Sequence, residues 1–310
     1  MKTFIKKNLY FKNALIGEYE AGIYHGGNRH FGGTAVYGAG WVPPYQDNIG
    51  YYKIGIISNS VDFGGELTQP RYNHCSGVTN GVRAVITHGN SPSSPSSTLD
   101  YFTIANVGGT AMDFGLCNSG TTEQGGNSGC GRGITAGGGN PATDHREYIT
   151  IGTTSNGTDW GELAGARRHA SGSISDGIHY LFAGGQISNQ NMICKGTFGS
   201  SATSSDFGNL DGSRAGASGM SNNYRGVYGG GESNDHMQYV TIETGSDAID
   251  FGGELTRGTW GSPGTSDGAR GVTQGDSGVL DYINIGTKGH AADFGEMFQT
   301  VTSFGATQGN

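Results

Sequence analysis

Proline is scarce in this chain, with 7 in 310 residues, and charged side chains make up only 14%. Cysteine is scarcer still. Cys75, Cys117, Cys130 and Cys194 form no C-x-x-C pair, and no histidine stands at zinc-finger spacing from them. That excludes a disulfide-stapled scaffold and a zinc site defined by spacing, and it reads as free thiols made in a reducing cytosol. No apolar run of about 18 residues occurs, so membrane insertion is not expected. Met1 to Leu9 is basic but leads into no sustained apolar stretch and no small-residue cleavage site, so no secretory signal is expected. The net charge of −8 supplies no basic stripe for a phosphate backbone, which argues against nucleic acid as a partner. A helical apolar period and a strand–helix alternation are both missing, which removes the parallel α/β folds.

What is abundant is glycine, 60 residues, and it falls in a repeat. Asp-aromatic-Gly triplets begin at Asp62, Asp113, Asp159, Asp206, Asp250 and Asp293, spaced by 51, 46, 47, 44 and 43 residues. Four of the six run on into Glu and an apolar residue, as in Gly161-Glu162-Leu163 and Gly295-Glu296-Met297. Eleven or twelve residues before most triplets lies a short run with period two: Tyr51-Tyr52-Lys53-Ile54, Tyr101-Phe102-Thr103-Ile104, Tyr148-Ile149-Thr150-Ile151, Tyr239-Val240-Thr241-Ile242 and Tyr282-Ile283-Asn284-Ile285. β-Branched and aromatic residues in that alternation read as strand. The fourth copy is degenerate, Met192-Ile193-Cys194-Lys195. Ahead of each run stands a strand ending in glycine, as from Arg83 to Gly89 or Arg225 to Gly230. Before that comes a strand of small residues, such as Ala170-Ser171-Gly172-Ser173, which an arginine often opens, as at Arg71, Arg168 and Arg214.

Four short strands in a unit of about 46 residues are the signature of a β-propeller blade. The last triplet is followed by one strand, near Thr302 to Gln308, and the chain then stops short of the next glycine-ended strand. That strand stands at the other end, where Thr34-Ala35-Val36-Tyr37-Gly38-Ala39-Gly40 matches Arg225-Gly226-Val227-Tyr228-Gly229-Gly230-Gly231. The expectation is therefore an all-β ring of six blades, four antiparallel strands each, over residues 34–310. The two ends of the chain share one blade and leave no open sheet edge.

One complete unit reads Arg214, Tyr228, Gly229-Gly230, Tyr239, then Phe251 before Leu255. In this order of elements the sequence resembles the kelch family of propellers, with Phe or, once, Trp160 in place of the usual kelch tryptophan. The narrower pattern, Tyr-Ile-Thr-Ile followed by Asp-Phe-Gly-Glu-Leu-Thr, looks like that of kelch-like proteins encoded by tailed bacteriophages, notably those of marine bacteria. That resemblance implies a virion-associated protein: made in the host cytoplasm, located in the virion, with tail or capsid proteins as partners.

The repeated residues themselves read as structural. Phe63, Phe114, Trp160, Phe207, Phe251 and Phe294 are expected to fill the space between blades. Each triplet Asp is expected to cap a turn, and each Gly to allow positive φ. One Asp per blade is too dispersed for a metal, so neither a metal nor a cofactor is expected. No P-loop occurs. The nine histidines fall at unrelated repeat positions, unlike the copper site of galactose oxidase, and the sialidase box is absent. The expectation is a protein that is not an enzyme, presenting a rigid surface for assembly or host recognition. The alternative is a lectin-like propeller binding a host surface glycan, and a glycan-active enzyme has the least support. Trp41 with Tyr45 and Trp260 are aromatics outside the repeat frame, more suited to local packing than to stacking on sugar.

Residues 1–33 fall outside the six-fold count. Residues 1–20 carry four lysines and two glutamates, so a charge of +2 against −10 for the remainder. Lys2, Lys6 and Lys7 interleave with Phe4, Tyr10 and Phe11, and this segment is expected to anchor the ring to an acidic assembly surface.

Overall fold

The computed structural model describes residues 32–40, 45–73, 75–91, 95–169, 172–187, 191–261, 263–274, 278–301 and 303–309. Twenty-five strands among them form six antiparallel sheets, the blades of a six-bladed β-propeller. From the axis outward, blade 1 is β25 (Gly305–Gly309), β1 (Thr34–Gly38), β2 (Gln46–Lys53) and β3 (Val61–Arg71). Blade 2 is β4 (Ser76–Thr79), β5 (Arg83–Thr87), β6 (Thr98–Thr103) and β7 (Met112–Leu116). Blade 3 is β8 (Gly125–Gly129), β9 (Arg132–Ala136), β10 (Thr143–Thr150) and β11 (Thr158–Arg168), with a two-residue β14 (Gln186–Ile187) added at its edge. Blade 4 is β12 (Gly172–Ser175), β13 (His179–Ala183), β15 (Met192–Thr197) and β16 (Ser205–Asn209). Blade 5 is β17 (Ser218–Ser221), β18 (Arg225–Gly229), β19 (Asn234–Thr241) and β20 (Ile249–Thr259). Blade 6 is β21 (Gly264–Ser266), β22 (Arg270–Gln274), β23 (Val279–Asn284) and β24 (Ala292–Glu296).

The ring closes as the sequence predicts. β1 pairs with β25 in register from Thr34 opposite Gly309 to Gly38 opposite Gly305. One detail differs: Arg71 and Arg168 close the outermost strands of blades 1 and 3 rather than open the innermost ones.

Composition follows distance from the axis. Innermost strands pack against each other around the channel, and their glycines leave no room for a side chain. A Cβ on Gly77 would fall 2.3 Å from the Ala306 carbonyl, and one on Gly264 2.2 Å from that of Gly219. Second strands are buried on both faces, so β5 and β13 read as near-continuous apolar runs. Outermost strands alternate exposed and buried, as β20 does.

Each of the six hydrophobic clusters sits between one blade and the next, and each contains one triplet aromatic. Phe251 of blade 5, for example, packs with Ile283 and Ile285 of blade 6. In all six triplets the Asp Oδ1 accepts the N–H of the Gly two residues on, at 2.7–3.0 Å. A cation then ties five of the six blades to a carbonyl of the next, blade 1 having Thr34 at that position. Arg83 donates to Ile151 O, Arg132 to Phe198 O, Arg225 to Ile285 O and Arg270 to Ile54 O. Blade 4 has His179 at the arginine position, and Lys195 from the adjacent strand donates to Ile242 O instead.

The six blades are of two kinds in alternation. Blades 1, 3 and 5 have third strands of 8 residues and outer strands of 11. Blades 2, 4 and 6 have third strands of 6 and outer strands of 5. The triplet glycines divide the same way, with φ of 79–84° at Gly64, Gly161 and Gly252 and 141–148° at Gly115, Gly208 and Gly295. The propeller is thus a pseudo-threefold of two-blade units.

Candidate functional site

Three regions could bind something. The axial channel is the narrowest. Ser128, Ser175, Ser221 and Ser266 line it, and Ser221 Oγ donates to Ser175 O while Ser175 Oγ donates to Ser128 O. Its free volume of about 70 Å³ holds a few waters, far less than a sugar or nucleotide needs.

The two ring faces differ. Because the strands are antiparallel, turns between strands one and two and between strands three and four of each blade emerge on one face. Nine of the ten large hydrophobic side chains exposed among the described residues lie on or beside these turns. Val82, Ile178 and Tyr224 occupy the first kind of turn, Ile56, Ile57 and Val107 the second, and Val61, Met112 and Ile249 begin outer strands next to it. Ile56, Val82 and Tyr224 are 60–62% exposed. Thr34 pairs with Lys53 at this same end of blade 1, so the described chain enters β1 from the apolar face.

The opposite face carries a cleft of about 680 Å³. Asn73, Asn90, Asn118, Glu123, Asn140 and His145 contribute to its lining. His145 is on β10, and the others sit on the loops that connect blades 1 to 2 and 2 to 3 and on those within blades 2 and 3. Burial pushes the Glu123 carboxyl above its ordinary range, against the pull of Arg168 and a hydrogen bond from Asn73 Nδ2. Among the described residues no Phe, Tyr or Trp contributes to this lining. Tyr72, next to Asn73, stacks on Tyr45 at 4.7 Å instead.

Behind the cleft wall, His88, Cys117 and Glu147 converge, all buried. Their ligand atoms lie within 4.8 Å of one another, with His88 Nε2 3.0 Å from Glu147 Oε1. His88 follows β5, Cys117 follows β7 and Glu147 is on β10, so the group spans the junction of blades 2 and 3. Glu147 Oε2 accepts the N–H of cleft-lining Asn118 at 2.7 Å. Burial works to raise the Glu147 carboxyl, but the imidazole of His88 and the Asn118 amide outweigh it and hold it below its ordinary value. Burial, with Glu147 adding, holds the Cys117 thiol well above its own.

Of the residues singled out from sequence, Phe63, Phe251 and Phe294 are fully buried, Phe114 nearly so, and Phe207 and Trp160 are 7% and 9% exposed. All six face inter-blade cores rather than a ligand. No disulfide joins the four cysteines, and only Cys130 is exposed. Trp260 is described and lies 5.5 Å from the His169 ring. Trp41 and the anchoring residues Lys2, Phe4, Lys6, Lys7, Tyr10 and Phe11 lie outside the described residues. The fold and its sites define a six-bladed β-propeller with one apolar face, one polar cleft and a buried His-Cys-Glu group. No protein-family model matches the sequence, and no curated protein matches it.

Proposed function

We propose that this propeller is a non-enzymatic component of a bacteriophage virion, an accessory protein attached to tail or capsid that presents a rigid surface for assembly or host recognition. The kelch-like order of elements, the Tyr148-Ile149-Thr150-Ile151 run and the Asp-Phe-Gly-Gly-Glu-Leu-Thr of blades 1 and 5 support the phage reading. The observation that carries the assembly role is the asymmetry of the two faces: exposed apolar side chains gather on the face at which β1, the strand that follows the basic, aromatic N-terminal sequence, begins. Apolar patches of this kind mark docking surfaces. The partner is another virion protein whose contact surface is apolar and acidic. The test is incorporation into particles. Deletion of residues 1–20, and separately I57E/V82E/V107E, should leave a folded ring that no longer joins the particle. Normal incorporation of both variants would refute the role.

A second reading, a lectin-like propeller binding a host surface glycan, draws on the amide- and hydroxyl-lined cleft. Binding of the isolated protein to a glycan array, abolished by N118A/N140A, would favour it. Particle incorporation without any glycan binding would leave the assembly role alone.

A further inference from the structure

We propose that His88, Cys117 and Glu147 form a binding site for a single transition-metal ion, Zn²⁺ by donor chemistry, that cross-links blades 2 and 3.

The argument rests on the pseudo-threefold, which supplies two internal controls for the same junction. The residue after the second strand adopts left-handed backbone in all five blades in which it is described: Ala39, His88, Gly137, Gly184 and Gly230 have φ between 59° and 73°. Three are glycine, which accepts that conformation without cost, and His88 accepts it only with strain. Its counterpart at the junction of blades 4 and 5 is Gly184. Cys117 is the fourth residue after its triplet Asp, and Leu210 and Met297 are its counterparts. Glu147 stands opposite Asp159 in the strand ladder as Gln238 stands opposite Asp250. Gln238 Oε1 accepts the N–H of Asp211 at 2.9 Å, as Glu147 does that of Asn118. A neutral amide therefore performs the local capping task, and the charge of Glu147 is surplus to it.

An imidazole, a thiol and a carboxylate thus replace glycine, leucine and glutamine together, at one junction. The Nδ1 of His88 has no hydrogen-bond partner among the described residues although the ring is fully buried. One thiolate, one carboxylate and a neutral imidazole balance a divalent cation, and nitrogen, sulfur and oxygen donors suit borderline-soft zinc. Donors around tetrahedral zinc lie about 3.3–3.8 Å apart, so three donors already within 4.8 Å of one another would close by at most about 1–1.5 Å around the ion. Asn118 and His145, one and two residues from Cys117 and Glu147, line the cleft, which offers an entry route and water for a fourth position.

The counterparts also supply variants built to fold: H88G, C117L and E147Q each restore what another junction carries. Full-length protein stripped with a chelator is titrated with Zn²⁺ by calorimetry and with Co²⁺ by absorption spectroscopy. The expected result is one ion per chain, a thiolate-to-cobalt charge-transfer band, and a loss of affinity of about 100-fold or more in each variant. Thermal unfolding should shift upward with Zn²⁺ in the unmutated protein and not in C117L. Binding that H88G/C117L retains, no saturable binding, or a cobalt spectrum without thiolate character would overturn the site and leave a buried His88–Glu147 ion pair beside a neutral thiol. Should a variant fail to fold, the cobalt spectrum of the unmutated chain decides alone.

Discussion

Blades 1 and 5 share Asp-Phe-Gly-Gly-Glu-Leu-Thr in their outer strands, yet β3 ends in a buried arginine and β20 in a threonine. The three odd blades meet the even blades that follow them through one equivalent pair of positions. Arg71 pairs with Asp100, both completely buried. Arg167 meets Cys194, its Nη2 2.9 Å from the sulfur. Thr259 leaves Asp281 to Thr256, whose amide and hydroxyl both donate to the carboxylate, at 2.9 and 2.7 Å. The fold therefore tolerates the complete ion pair, the cation without the acid, and the acid without the cation. The backbone frame and the aromatic cores set the architecture, and the buried polar pair adjusts each junction locally. Asp281 shows the consequence of losing the arginine: burial pushes its carboxyl above the ordinary value, against the hydrogen bonds from Thr256.

The largest effect should come from converting the first junction to the third. R71T leaves Asp100 buried with Thr68 and no guanidinium, and stranding one member of a buried pair costs about 3–5 kcal/mol. Asp100 would then take the surroundings of Asp281, the buried carboxyl whose folded-state pKa lies above its unfolded one. Stability contributed by such a group is present below the unfolded pKa and lost as pH rises through the folded one. Urea unfolding should accordingly show a larger deficit at pH 7 than at pH 4. A deficit under about 1 kcal/mol at pH 7 would mean that Thr68 alone satisfies Asp100, and the comparison with blade 5 would lose its force.

Much of this architecture was legible because each unit announces itself three ways: by the triplet, by the tyrosine run and by the glycine-ended strand. Closure was legible because Thr34–Gly38 lacks its inner neighbour until Gly305–Gly309 supplies it. The alternation of blade types was not, since the triplets look alike and the difference lies in strand length and register shifts after them. A signal existed in the Gly-Gly-Glu-Leu-Thr shared by blades 1 and 5 alone. The buried trio was invisible to motif reading, because His88, Cys117 and Glu147 are separated by 29 and 30 residues and come together only through packing of two blades. Aligning the repeats position by position exposes it, because His88 then falls in a column of glycines. Arg71 and Arg168 fall on the outer strand rather than the inner one, and a residue at a strand boundary carries no sign in the sequence of which side it belongs to.

A second comparison concerns the residue two beyond those polar positions. Asn73, His169 and Gly261 are equivalent and all have left-handed backbone, with φ of 70°, 55° and 64°. Burial and the neighbouring Arg168 push the His169 imidazole down to about 4. A depressed histidine keeps its full contribution above the unfolded pKa near 6.5 and loses it as pH falls toward about 4. Stability should therefore drop between those values, by up to ~3 kcal/mol from this group. H169G restores the residue of blade 5, changes little at pH 7 and flattens that part of the curve. An unchanged acid limb in H169G would overturn this assignment; Glu147 and Asp176, whose carboxyls are held low, lose their contribution at more acid pH and leave this window alone.

The smallest effect tests whether the cation between blades 4 and 5 is a true substitute. Lys195 reaches Ile242 O at 2.8 Å, the task Arg225 performs for Ile285 O, while His179 at the arginine position turns to Asp176 at 2.8 Å. Lys195 is partly exposed, so solvent screens its charge, and K195Y should cost only about 1 kcal/mol. H179R alone gains little while the lysine already occupies the carbonyl. In H179R/K195Y the new arginine should stack on the new tyrosine, as Arg225 lies 4.4 Å over Tyr239, and recover most of the loss. The double-mutant cycle then shows a coupling of about 1 kcal/mol. Strict additivity would mean that the junction needs no cation, and that the five observed blade-to-carbonyl contacts follow from the packing rather than help to hold it.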